Sequence, residues 1–199
     1  MPGWSPEVRV LFRPAATFRT LAGEPAGGTW MFLRRPLLLA IVFGCLVSLE
    51  ASGRLSARLI TDGIISFAFV PVFEAVSLML VYGRAPRRLP LAQAVDLFFA
   101  ANAPWLLLML VMLAVRSLQT PVQATAGPEW WQWTLLLSLV PVAAWSLFID
   151  VQFFRNISAG PGRGVAGDLA LQRAISWTCI LGWYVGHEAW QLVAAWINV

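Results

Sequence analysis

Four polar side chains interrupt long apolar runs, where a polar group needs either a partner or a function. They are Glu74, Asn102, His187 and Glu188. A charge at the centre of a bilayer costs at least about 2.5 kcal/mol on insertion scales, so such groups are seldom left alone. If their helices pack together, the four side chains form one midplane cluster. The cluster predicts either a proton or ion relay, with Glu74 or Glu188 as carrier, or a hydrogen-bonded set that fixes helix register.

His187 is the one histidine of the chain. A single imidazole excludes a three-histidine zinc site and a bis-histidine haem within the chain, but it suffices as an axial ligand. Gly182 and Gly186 leave room beside it, and Trp183 flanks it, so a chlorophyll-type pigment or a haem is one alternative. The simpler interpretation is a histidine hydrogen-bonded within the bundle. We therefore predict no metal site and no resident cofactor, with His187 as the cofactor-binding residue if there is one.

Glycines and prolines indicate how the helices pack. Gly182 and Gly186 form a small-x-x-x-small pair, which lets another helix approach closely, either within the bundle or from a partner. Pro71, Pro104 and Pro141 fall near the middle of three apolar runs, and each removes a backbone donor and crowds the preceding turn. They predict kinked helices, which either pack as a plain bundle or break around a midplane site as in transporters.

The composition restricts the class of protein. Of 199 residues, 59% are hydrophobic and 12% are charged, and the mean hydropathy is +0.71. A fold of this size cannot hide so much apolar surface from water, which excludes an ordinary soluble enzyme and a disordered chain. All 14 basic residues are arginines that stand between apolar runs, so the net charge of +4 indicates a membrane protein and not a nucleic-acid-binding domain.

The apolar runs predict an all-α membrane bundle. A helix needs about 20 apolar residues to cross a bilayer, and five candidates occur, at 36–52, 59–82, 91–115, 131–154 and 174–197. The predicted organisation is a five-helix transmembrane domain over residues 36–199, preceded by an N-terminal segment at 1–35. The first run begins too far from Met1 for a signal peptide, so we expect an uncleaved N-terminus.

The arginines predict the orientation. With five spans, eleven of the 14 arginines fall on the side of the N-terminus and three on the other side. Cytoplasmic loops carry the excess of arginine. The N-terminus is therefore predicted in the cytoplasm and the C-terminus outside, in a bacterial inner membrane.

The N-terminal segment and the remaining acidic residues are expected at the membrane surfaces. Pro14 can occupy the first turn of a helix that has Phe18 and Leu21 on one face, either interfacial and bound to anionic lipid or packed on the ends of the spans. Asp96 and Asp150 are expected to pair with arginines at the cytoplasmic ends of their helices, and Glu50 and Asp62 with arginines outside. The candidate partners are Arg84, Arg87, Arg88 and Arg155 inside, and Arg54 and Arg58 outside.

Two stretches are similar to a known family. Residues 13–22, which read RPAATFRTLA, and residues 100–108, which read AANAPWLLL, resemble prokaryotic members of the Ypt-interacting-protein (Yip) domain family, as do the five spans and the inside N-terminus. The Asp-Leu-Tyr-Gly-Pro type of motif of the eukaryotic members is absent from the sequence. The resemblance implies a fold and a compartment more than an activity.

The sequence contains no phosphate loop, no dinucleotide-binding glycine pattern and no nucleophile elbow. We therefore predict a protein that is not an enzyme, a structural or accessory subunit that organises a membrane complex or its lipid environment. The alternative is a small ion-coupled transporter that uses Glu74, His187 and Glu188, and the third hypothesis is the pigment- or cofactor-holding subunit. The predicted partners are membrane lipid and other membrane subunits, with no nucleic acid.

Overall fold

The computed structural model describes residues 4–25, 28–83, 89–118, 129–158 and 164–197, and over these residues the chain is helical with no strand. The all-α prediction is confirmed. The helices are α1 (Pro6–Phe12), α2 (Pro14–Ala22), α3 (Met31–Ser52), α4 (Ala57–Phe67), α5 (Phe69–Tyr82), α6 (Leu91–Ala100), α7 (Ala103–Leu118), α8 (Glu129–Phe153) and α9 (Val165–Ile197). A π-helical turn, Phe154–Ser158, follows α8.

Several of these helices are long and apolar enough to cross a membrane. Three spans meet that criterion, Met31–Ser52, Ala57–Tyr82 and Leu136–Ile157, and α6 with α7 forms a fourth if the bent pair is counted as one span. The predicted fifth span lies inside α9, which is not among these candidates because polar residues interrupt its apolar run. The chain is thus a helical bundle with three or four candidate spans.

Two of the three predicted proline sites coincide with breaks. The span Ala57–Tyr82 is divided at Ala68, three residues before Pro71. The α6–α7 pair bends by 50° immediately before Pro104. Proline explains both positions because its ring crowds the carbonyl four residues earlier and its nitrogen cannot donate. At Pro141 the helix α8 continues without interruption.

The closest approach between helices is at glycines that the sequence interpretation did not single out. A Cβ atom on Gly44 of α3 would lie 2.5 Å from the Ile60 carbonyl oxygen of α4, and one on Gly63 would lie 2.8 Å from the Gly44 Cα. Around Gly182 and Gly186, by contrast, a Cβ would meet nothing within 4 Å. The predicted glycine pair of α9 therefore makes no close helix contact within the described chain.

The N-terminal segment packs on one end of the bundle, which we call the basic end because Arg34 and Arg35 lie there. Phe18 of α2 is fully buried, and its ring lies 5.7 Å from that of Phe153, measured between centroids, in an edge-to-face contact. Leu21 is buried with it. The apolar face that would enter lipid is already covered by protein, so the contacts favour a helix packed on the span ends over an interfacial one.

Ion pairs hold the basic end together. Asp96 of α6 is buried and accepts from Arg34 at 2.6 and 2.5 Å and from the buried Arg35, which also donates to Glu7 of α1 at 2.9 Å. The expectation that Asp96 pairs with Arg155 is therefore wrong. The other candidate partners, Arg84, Arg87 and Arg88, lie outside the described residues. The helix α3 includes both Arg34 and Arg35 and begins at Met31, before the predicted start of the first span at residue 36.

The opposite end is closed by a different set of pairs. Glu50 pairs with Arg116 at 2.5 Å and not with Arg54 or Arg58 as expected, which joins the end of α3 to the end of α7. Asp62 does approach Arg58, at 4.0 Å across one helical turn, and both side chains are exposed.

Candidate functional site

A cavity of about 490 Å³ lies among α3, α5, α7, α8 and α9. Pro71, close to the middle of the span Ala57–Tyr82, lines it, and so does Ser146, close to the middle of Leu136–Ile157. The cavity therefore lies near the middle of the candidate membrane-spanning helices, in what we call the apolar layer. Its volume is within the range of ligand pockets, about 300–1,000 Å³.

A charged cluster forms one wall of the cavity. Arg173 of α9 donates from Nη1 to Glu74 Oε1 at 3.2 Å and from Nη2 to Asp150 Oδ2. Asn102 Nδ2 donates to the other Glu74 oxygen, Oε2, at 3.2 Å. Two carboxyl groups thus share one guanidinium, and the four residues come from three helices and from the bend between α6 and α7.

Local structure fixes each member of the cluster. Gln172 of α9 donates to Ser77 Oγ at 3.0 Å, and Ser77 Oγ donates to the Glu74 carbonyl at 2.8 Å, so α5 and α9 are held in register. Asn102 lies at the bend between α6 and α7, where Ala101 and Asn102 N–H groups bond three residues back. The bend turns the Asn102 amide toward α5.

Among the residues that line the cavity, two have a buried polar atom without a hydrogen-bond partner in the described part of the chain. These atoms are Asp150 Oδ1 and Ser146 Oγ, one helical turn apart on α8. Both residues line the cavity, and both are almost completely buried. Buried polar groups without partners are uncommon in folded proteins, and each calls for an explanation such as a bound water, ion or ligand.

The other walls are apolar and aromatic. Trp105, Met109, Phe67 and Ile180 also line the cavity. Ala143 and Leu147 of α8 and Trp177 of α9 line it too, and these three are exposed on the outer surface of the bundle. The cavity therefore opens sideways between α8 and α9, toward the region that lipid occupies around a membrane bundle.

The structure brings together half of the predicted midplane cluster. Glu74 and Asn102 meet as expected, whereas His187 and Glu188 are exposed and take no part. Trp183 contacts Phe69 and Phe73 of α5, which fixes the register of α9. His187 consequently lies about 20 Å along the helix from Arg173, at 1.5 Å per residue, too far to reach Glu74.

Asp150 and Arg173 complete the cluster in place of His187 and Glu188. Neither was predicted from the sequence as a member of the site. Asp150 was expected to pair with an arginine at the membrane surface, and Arg173 was counted as part of a loop. Polar residues one turn apart within apolar helices were the available signal: Ser146 with Asp150, and Arg173 with Ser176. The signal was weak because α9 begins at Val165, before its apolar run starts.

The arrangement is suited to binding a small molecule. Among the described residues, no group of three or more His, Cys, Asp or Glu side chains comes together. The cluster offers carboxylate and amide acceptors, one guanidinium and aromatic faces around an open volume. Such a site can hold a small molecule that has both a polar and an apolar part, and its carboxyl groups can bind or release a proton.

Comparison with known protein families, with curated proteins and with solved structures gives no match to this chain.

Proposed function

We propose that the protein is a small membrane carrier that holds an amphipathic molecule in the cavity and couples its movement to protonation of Glu74. The observation that carries this proposal is the charged cluster of Glu74, Asp150 and Arg173 on the wall of an open cavity near the centre of the apolar layer. Carriers place substrate and coupling-ion sites near the bilayer midplane, often where helices are interrupted. The breaks before Pro71 and Pro104 border this cavity.

The open volume favours a carrier over a purely structural cluster. Polar groups that only fix helix register need to satisfy one another in a packed core. Here the cluster faces a cavity of about 490 Å³, and Asp150 Oδ1 and Ser146 Oγ have no partner among the described residues. A bound molecule would fill the cavity and would form hydrogen bonds with these two oxygen atoms.

The proposal includes five spans, with the N-terminus inside and α9 as the fifth. The arginine distribution supports this orientation. At 100° per residue, His187 and Glu188 point within about 60° of the direction of Arg173 around α9. They would then lie on the same side of α9 as Arg173 but further outward, in a position to attract a substrate or a proton.

Proton movement in proteoliposomes tests the carrier. Vesicles with a trapped pH indicator receive a panel of cationic, neutral and anionic amphiphiles. At least one class is expected to drive a proton flux that depends on the protein. Glu74→Gln should reduce that flux at least tenfold, whereas Asp62→Asn, which neutralises an exposed carboxylate on the same span, should leave it unchanged. Absence of protein-dependent flux with every class, or an unchanged flux in Glu74→Gln, would contradict the proposal.

An accessory subunit is the second candidate, and an exposed stretch of α9 favours it. Residues 181–188 are all exposed, and they include His187 and Glu188. If α9 crosses the bilayer, these polar side chains face lipid unless another protein covers them, and such exposure is costly. Gentle purification from native membranes would return partners in fixed stoichiometry if this candidate is right, and the protein alone if it is wrong.

The pigment-holding alternative rests on the same region. The His187 imidazole is exposed, and open space surrounds Gly182 and Gly186. A visible absorbance band in the native preparation, lost in His187→Ala, would support axial ligation. A preparation that is colourless above 350 nm would argue against it.

A further inference from the structure

We infer that the ligand of the cavity is an amphipathic organic cation, an amine or onium group carried on an apolar body. The inference deepens the proposed function and rests on it. It follows from three features of the cavity: the balance of charge in its wall, the acceptors that have no partner among the described residues, and the aromatic side chains that also line it.

The charge balance favours a positive ligand. Among the described residues that line the cavity, Glu74 and Asp150 carry carboxyl groups and Arg173 alone carries a permanent positive charge. Arg173 is already engaged by both carboxyl groups, so it offers little to an anion. A second cation would balance the remaining carboxylate in a region of low dielectric, where an unpaired charge is costly.

The hydrogen-bond acceptors in the cavity wall also favour a positively charged ligand. Asp150 Oδ1 is an acceptor without a partner, and the Ser146 hydroxyl one turn away can also accept. Glu74 keeps lone pairs beyond its two bonds at 3.2 Å, since an ionised carboxylate has about four acceptor sites. An ammonium group donates hydrogen bonds and accepts none, so it complements this wall, whereas a carboxylate or phosphate ligand would not.

The aromatic walls suit the same class. Trp105 and Trp177 line the cavity, and tryptophan is the most favourable aromatic partner of a cation held over its face. Phe67, Met109 and Ile180 provide apolar surface for the body of the ligand. The sideways opening at Ala143 and Leu147 gives a molecule dissolved in the bilayer a route into the site.

Two hydrophobic ions of the same shape and opposite charge test the inference. Binding of radiolabelled tetraphenylphosphonium and of tetraphenylborate is measured on the purified full-length protein in detergent, as the fraction displaced by unlabelled ion. We expect saturable binding of tetraphenylphosphonium, at least tenfold tighter than that of tetraphenylborate. Glu74→Gln should weaken tetraphenylphosphonium binding at least tenfold, and Asp62→Asn, the matched control, should not change it.

The outcomes separate the two proposals. If both ions bind equally well, or the anion binds better, and the cavity-filling variant Ala143→Trp removes both, the cation inference is overturned while a ligand-binding cavity stands. If neither ion binds saturably, the inference is also overturned, and the proton-flux measurement alone decides the proposed function. The comparison of the two ions needs only the unaltered protein, so it holds even if Glu74→Gln does not fold.

Discussion

Glu7 is the side chain that ties the N-terminal helices to the first span. It accepts from Arg35 at 2.9 Å, and Arg35 in turn donates to Asp96 in the buried wall of α6. Burial tends to raise the pKa of Glu7, but hydrogen bonding to the backbone and the neighbouring Arg35 guanidinium outweigh it and hold the pKa below its ordinary value. The folded protein therefore binds the Glu7 proton less tightly than the unfolded chain does.

The lowered pKa of Glu7 predicts a loss of stability in acid. A carboxyl group whose pKa is depressed by folding stabilises the fold above its unfolded pKa, and that contribution disappears as the pH falls through the folded value. We expect unaltered protein in detergent to melt above Glu7→Gln at pH 7, and the difference between their melting temperatures to shrink below about pH 4.5. A difference that stays constant from pH 7 to pH 3 would show that the Glu7 charge is not involved.

At the residue scale, the sequence predicts a polar group inside an apolar run better than it predicts the partner of that group. Glu74 and Asn102 stood out because each interrupts a long apolar stretch, and they do meet. Arg173 did not stand out because it precedes the apolar run of α9. Tertiary contacts, among them the hydrogen bond between Gln172 and Ser77, decide that this arginine faces Glu74.

Among the elements, the α3–α4 pair is the most tightly joined, because both helices carry a glycine at their contact. A Cβ on Gly44 would come within 2.5 Å of a backbone oxygen of α4, which cannot move aside without shifting the helix. The sequence instead predicts a close helix contact at the glycine pair of α9, because the four-residue spacing of that pair is visible within one helix. Gly44 and Gly63 lie on different helices, and no spacing rule connects them.

Alanine substitutions at these glycines should have opposite effects. Gly44→Ala overfills the α3–α4 contact and is expected to destabilise the protein by about 1–3 kcal/mol. Gly182→Ala meets no neighbour and replaces a poor helix former, so it is expected to stabilise by up to about 1 kcal/mol. Unfolding of both variants in mixed micelles, followed by circular dichroism, measures the two differences. Equal destabilisation at both positions would mean that the glycine of α9 is also covered.

At the scale of the whole molecule, the fold class was predictable and the number of spans only in part. Composition and run length are enough to indicate an apolar helical bundle. Whether α9 crosses the membrane depends on what covers His187 and Glu188, and a single sequence does not contain that information. The position of α2 was undecided for the same reason, since its partner Phe153 is distant in the chain.

Cysteine labelling checks the proposed orientation. In a background with Cys45→Ala and Cys179→Ala, Leu55→Cys lies in the exposed turn between α3 and α4, and Thr29→Cys lies at the basic end. An impermeant maleimide added to intact cells should modify Leu55→Cys at once. It should modify Thr29→Cys only after the membrane is permeabilised. The reverse pattern would invert the topology, and equal labelling of both would argue against an odd number of crossings between these sites.

The order in which the cluster residues occur along the chain has a consequence for biogenesis. Glu74 and Asp150 are both synthesised before Arg173, so two carboxyl groups are made before the guanidinium that pairs with both of them. Likewise α2 is made early, but Phe18 can dock only when Phe153 of α8 has been translated. Packing of α9 onto the bundle therefore completes the assembly, and a nascent chain halted before it would lack the arginine that pairs with both carboxyl groups.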